Sequence, residues 1–221
     1  MTLRLGPVLA YLLFAPSFAA YAEDNPPPAA DLLFEAPQLA NTKPGDELDY
    51  SYSQKSADPA KYGAAFDDTI KLSIEDAGKA SGERNVRVEM FSAERRRAAG
   101  PFEGMTGNPV LSLFLENNIQ QLSALLHANP RYLKNAIRSA LRTAPSTPDQ
   151  IDGQKQAWRV EVAPFKGDPQ KDRMNGLETL TYVFRVAPDL PGAVYEIDIS
   201  ARDPAGAVLL EEKLRYDGKK S

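Results

Sequence analysis

Residues 104–126 read GMTGNPVLSLFLENNIQQLSALL, and the architecture of the chain turns on what this stretch does. Asn108-Pro109 is a helix start: a side chain able to cap the first turn, then a proline at the first helical position, where its missing N–H costs nothing. From Val110 to Leu115 only Ser112 is polar, and Ile119, Leu122, Leu125 and Leu126 continue a narrower stripe in line with Leu111 and Leu115. A helix that is apolar nearly all round is buried on several sides. The same dipeptide returns at Asn129-Pro130, so the spacing predicts two helices, 109–127 and 130–143, with a sharp break between them. Gly104 and Gly107 belong to the turn ahead of the first helix. A phosphate loop needs a lysine and a hydroxyl directly after its second glycine, and a dinucleotide fingerprint needs a βαβ unit around it; this stretch has neither.

On both sides of this segment the apolar period changes to two. Leu48, Tyr50 and Tyr52 alternate with Asp49 and Ser51; Ile70, Leu72 and Ile74 with Lys71 and Ser73; Val86, Val88 and Met90 with Arg87 and Glu89. After residue 155 the pattern resumes with Trp158, Val160 and Val162, then Leu180, Tyr182, Phe184 and Val186, then Tyr195, Ile197 and Ile199, and finally Leu210, Leu214 and Tyr216. Asp203-Pro204-Ala205-Gly206 is a turn that makes the last two a hairpin. Alternation of this kind belongs to antiparallel strands with one wet face, whereas parallel strands read as continuous apolar runs. The expected fold is therefore α+β: one domain over 46–217, a curved, half-barrel-like antiparallel sheet of about seven strands, with a two-helix insert (108–143) on its concave face.

The ends bound the compartment. MTLRLGPVLAYLLFAPSFAAYAED has a basic start at Arg4, an uncharged apolar run and an Ala20-Tyr21-Ala22 cleavage site, which together predict a secretory signal over residues 1–22 and a soluble periplasmic protein. Residues 23–45, rich in proline and alanine, predict an extended leader without regular structure, with Leu32-Leu33-Phe34 tucked against the domain, and 218–221 a disordered tail. The chain has no cysteine, which excludes disulfides, a lipid-modified N-terminal thiol and thiol chemistry. Cleavage removes Arg4 alone among the charged residues, leaving 25 basic against 30 acidic side chains and a net charge of −5. Such a balance argues against nucleic acid as a partner.

Against that acidic background the second helix stands out. Leu133, Ala136, Ile137, Ala140 and Leu141 fall on one side, and Arg131, Lys134, Arg138 and Arg142 lie within about 80° of one another on the other. This is a candidate patch for an anionic partner in the cell envelope, with Arg95-Arg96-Arg97 as a possible extension. Apolar side chains of the sheet and insert (Leu111, Phe114, Leu115, Leu122, Trp158 and Tyr182) are the candidate lining for a hydrophobic or amphiphilic ligand. No constellation points to catalysis. His127 is the only histidine; Ser123 stands one turn before it, but there is no Gly-x-Ser-x-Gly elbow. Asp67-Asp68 and Lys166-Gly167-Asp168-Pro169 lack calcium-loop spacing and read as turns. No metal or cofactor is expected.

The order of signal, strands, apolar helical insert and further strands closing in a hairpin resembles, over residues 46–217, the half-barrel carriers that move lipoproteins or lipids across the periplasm. GMTGNPVLSLFLE with NPRYLKN is similar to uncharacterised exported proteins of proteobacteria. The likeness implies a non-catalytic carrier for an apolar or amphiphilic ligand. Two rivals remain: an accessory protein gripping an envelope complex without a small ligand, and a hydrolase.

Overall fold

The computed structural model describes residues 26–78 and 82–220; the export signal expected at 1–22 lies outside them. The first strand, β1 (Glu47–Ser56), is followed by a one-turn helix, α1 (Pro59–Tyr62), and then by β2 (Phe66–Asp76), β3 (Arg84–Met90) and β4 (Arg97–Met105). The helices α2 (Pro109–Leu126) and α3 (Pro130–Thr143) come next. The chain closes with β5 (Ser146–Asp149), β6 (Ala157–Val162), β7 (Thr181–Val186), β8 (Val194–Arg202) and β9 (Val208–Lys220). All nine strands form one open antiparallel sheet in the order β4-β3-β2-β1-β9-β8-β7-β6-β5.

The sheet is two meanders joined at their ends, with the first strand paired to the last along its whole length. That order places the insert. The chain leaves the sheet at one edge, β4, and re-enters at the other, β5, so α2 and α3 must cross the full width of one face. They cross the apolar one. Leu48, Tyr50, Ile70, Leu72, Val86, Val160, Phe184, Ile197 and Leu214 are buried in a single cluster with Val110, Leu111, Phe114, Ile119 and Leu122 of α2. Alternate strand residues face water, which is the division that the period of two predicts.

Two strands beyond the expected seven are present, and each breaks the alternation rule for a physical reason. The strand β4 is an edge with two register shifts against β3, one between Ala99 and Phe102 and one between Phe102 and Met105, so its side chains show no two-residue period. The other edge, β5, is only four residues long and carries Pro148, which an edge strand tolerates and a central one does not. Of the tail expected at 218–221, Gly218, Lys219 and Lys220 are not disordered but pair with Asp49, Leu48 and Glu47, and residue 221 lies outside the described residues. Arg95-Arg96-Arg97, the candidate extension of the basic patch, is partly engaged elsewhere. It lies at the β3–β4 turn, where Arg96 pairs with Glu89 and Arg95 stacks over Phe66.

Both helices start where the sequence places them. The side-chain oxygen of Asn108 accepts from the Val110 N–H, and that of Asn129 from the Arg131 N–H. Within the expected leader, Leu32 and Leu33 tuck against the domain as the sequence predicts, but Asp31–Glu35 is a helical turn and not extended, and the segment forms a wall of the domain. Leu32 and Leu33, in a short helical turn at Asp31–Glu35, are buried, as are Gln38, Leu39 and Thr42. Gln38 fastens the segment: its amide donates to the Leu32 and Leu33 carbonyls and its oxygen accepts from the Asn108 N–H, 2.8 Å away. Phe34 alone of the apolar trio faces outward.

Candidate functional site

Most of the candidate ligand residues between sheet and insert are buried. Leu111, Phe114, Leu122 and Tyr182 are at most 1% exposed and Trp158 is 9% exposed; they are core, packed against one another and the strands. Phe114, for example, sits edge-on to Tyr52 with ring centroids 6.0 Å apart. Of the six candidate ligand residues, Leu115 is the one that lines the cavity beside α2.

That cavity is a groove of about 770 Å³ on the other flank of α2, between α2, α3, the edge strand β4 and the N-terminal wall. Its apolar surface comes from Phe34, Phe102, Met105, Leu113, Leu115, Ile119, Ile137 and Leu141, and its charged margin from Lys134, Arg138, Arg142, Glu35 and Glu116. Three of the four patch cations therefore border the groove, and only Arg131 does not. Lys134 is held by Glu116 at 3.0 Å, and hydrogen bonds from Gln120 and Lys134 draw the Glu116 carboxyl below its ordinary pKa. Among the described residues neither Arg138 nor Arg142 has a hydrogen-bond or ion-pair partner. An apolar trough with two free guanidinium groups at its lip can hold a molecule that is apolar along its length and anionic at one end, because guanidinium binds carboxylate or phosphate through paired N–H donors.

A second feature, which the sequence reading passed over, lies inside the sheet–α2 interface. Glu212 is fully buried, and among the described residues no cation pairs with it. Its Oε1 accepts from the Asn118 amide at 2.8 Å, and its Oε2 lies 3.2 Å from the Tyr52 hydroxyl. The Tyr182 hydroxyl donates to Asn118, and Tyr52 is also 3.2 Å from Gln54 Oε1. Burial lifts the Glu212 carboxyl to about 7, against the hydrogen bonds from Asn118 and Tyr52, which favour its ionised form. Proton counting agrees. Tyr52 has one proton for two acceptors, Glu212 Oε2 and Gln54 Oε1, and a neutral Glu212, donating to the Tyr52 oxygen, would leave that proton for Gln54. The signal was present in the sequence, since position 212 is in phase with Leu210 and Leu214 and points inward. The cluster does not line the groove, and its hydrogen bonds tie α2 to β1, β7 and β9.

His127 is exposed at the end of α2, with left-handed backbone (φ 50°), and the Ser123 hydroxyl donates to the Ala128 carbonyl. The two serve the helix end and not each other. Asp67 and Asp68 lie in β2 and not in a turn, and among the described residues no group of three His, Cys, Asp or Glu could hold a metal ion. On the wet face of the sheet a polar hollow of about 430 Å³ is bordered by Arg159, Glu161, Glu196, Asp198 and Arg202, several of which pair within the face. Among the described residues no helix is long and apolar enough to cross a membrane. Neither a protein-family model nor a curated protein matches the chain.

Proposed function

We propose that the protein is a non-catalytic binding protein or carrier for an anionic amphiphile, whose apolar part lies in the groove beside α2 and whose charged end meets Arg138 and Arg142. The observation that carries this reading is the joining of apolar walls to two unpartnered guanidinium groups along one 770 Å³ trough, a size in the range of ligand pockets. Export from the cytoplasm, read from residues 1–22, suits a carrier of envelope material. So does a bent sheet. Nine strands at about 4.8 Å spacing would spread ~38 Å if flat, while an 18-residue helix is about 27 Å long and 10–12 Å across with its side chains. Burying β3 and β6 in one cluster with that helix favours a sheet curled around α2, the half-barrel form. The accessory-protein rival loses part of its handle, because residues 29–42 are engaged with the domain itself.

The test is a fluorescence titration with a long-chain fatty acid bearing an environment-sensitive dye. Saturable binding is expected, weakened at least tenfold by Arg138→Ala combined with Arg142→Ala, since each charge-assisted contact contributes about 1.5–3 kcal/mol. Leu113→Trp, at a half-buried groove position, should block binding while the protein stays folded. Binding by that variant equal to that of the unaltered protein would remove the groove from the account.

A further inference from the structure

We infer that the solvent face of α3 is a docking surface for an anionic lipid bilayer, so that the groove opens at the membrane from which an amphiphile would be drawn. The inference uses the groove reading for its purpose but has its own observation. Among the described residues only two large hydrophobic side chains are exposed, Phe34 (44%) and Tyr132 (40%), and they stand on opposite sides of the same cationic stripe. Phe34 forms the groove wall facing Lys134, Arg138 and Arg142. Tyr132 lies about 100° around α3 from Arg131, on the side away from the groove, at ~100° per residue. The surface therefore runs aromatic, four cations, aromatic.

That order suits a bilayer better than an acidic protein. Exposed aromatic rings partition to the headgroup region, and cations just above anionic lipids are attracted by the surface potential. Of the acids nearby, Glu116 is paired with Lys134, while Asp168 accepts from the Tyr132 hydroxyl and Glu35 lines the groove. The helix α3 itself contains no acidic residue. Since the chain is acidic as a whole, an anionic surface repels most of the molecule and admits it by this face, within the ~10 Å reach of charge at 0.1 M salt. The apolar side of α3 is already buried against the domain through Leu133, Ile137 and Leu141, so the contact is with headgroups and not with the hydrocarbon interior.

The experiment is sedimentation of the purified protein with vesicles of phosphatidylcholine alone or mixed with phosphatidylglycerol. Binding is expected to the mixed vesicles only and to fall as salt rises. Arg131→Ala should weaken it about fivefold, the equivalent of ~1 kcal/mol for one cation near the surface, and Tyr132→Ala should weaken it further. Neither residue lines the groove, so both variants should bind the dye-labelled fatty acid like the unaltered protein. Equal binding to both vesicle types, no binding to either, or binding that ignores both substitutions overturns the inference. So does capture of an acidic protein by this face without vesicle binding. Vesicle binding without fatty-acid binding would leave the docking surface standing and remove the groove reading instead.

Discussion

Glu212 is the residue whose chemistry departs furthest from its surroundings, and it makes the stability of the fold depend on pH. Below about pH 4.5 the carboxyl is protonated in the folded and unfolded states alike and costs nothing. Between 4.5 and about 7 only the folded state keeps the proton, so stability falls as pH rises. Above that window the full penalty stands, on the order of 3 kcal/mol. Glu212→Gln keeps a donor toward Tyr52 and an acceptor for Asn118 without the charge. Urea unfolding should find this variant more stable than the unaltered protein at pH 8 and close to it at pH 5; an advantage equal at both values would mean that Glu212 is not the titrating group. Gly192 is a second residue with a single solution. Its φ is 78°, and a Cβ there would stand 2.8 Å from both the Asn108 amide nitrogen and a Leu48 methyl. That same amide donates to Tyr50 and to the Gly192 carbonyl. Gly192→Ala should therefore cost about 1–3 kcal/mol and lower the thermal midpoint, whereas alanine at Gly45, with nothing near it, should pay only for its positive φ.

At the scale of elements, the N-terminal segment, α2 and the loop before β8 form one assembly around Asn108. Gln38→Ala would strip the buried Asn108 N–H of its acceptor and release the Leu32 and Leu33 carbonyls, a loss of about 1–3 kcal/mol for the orphaned donor. Hydrogen exchange should show residues 29–42 losing protection while β7 and β8 keep theirs; unchanged protection would mean that Leu32, Leu33 and Leu39 hold the wall unaided. The packing of Leu32 and Leu33 could be read from the sequence, but the rest of the wall could not, because its main fastener is one glutamine to a backbone N–H some seventy positions away. The two helices were legible nearly to the residue, since Asn-Pro caps act locally. The seven strands with a clean period of two were legible for the same reason. The irregular edges β4 and β5 were not, as bulges and a short edge strand obey neighbours and not their own sequence. The cationic stripe could be read from spacing alone, but the groove could not. Residues such as Phe102 and Met105 come from an unrecognised strand and Phe34 from a segment expected to be extended, so their meeting is a product of topology.

For the molecule as a whole, the decisive fact is that a helical insert connects opposite edges of one open sheet. The insert must lie across the apolar face, α2 is consumed in the core, and the leftover flank between α2, α3 and β4 becomes the groove. The central claim is that this flank holds an anionic amphiphile. Native mass spectrometry of the protein after incubation with an unlabelled long-chain fatty acid, beside its Leu113→Trp form, tests it most directly. One molecule bound per chain, absent from the Leu113→Trp protein, is the result the account predicts. A spectrum with no adduct, or with the same adduct on both proteins, would contradict it.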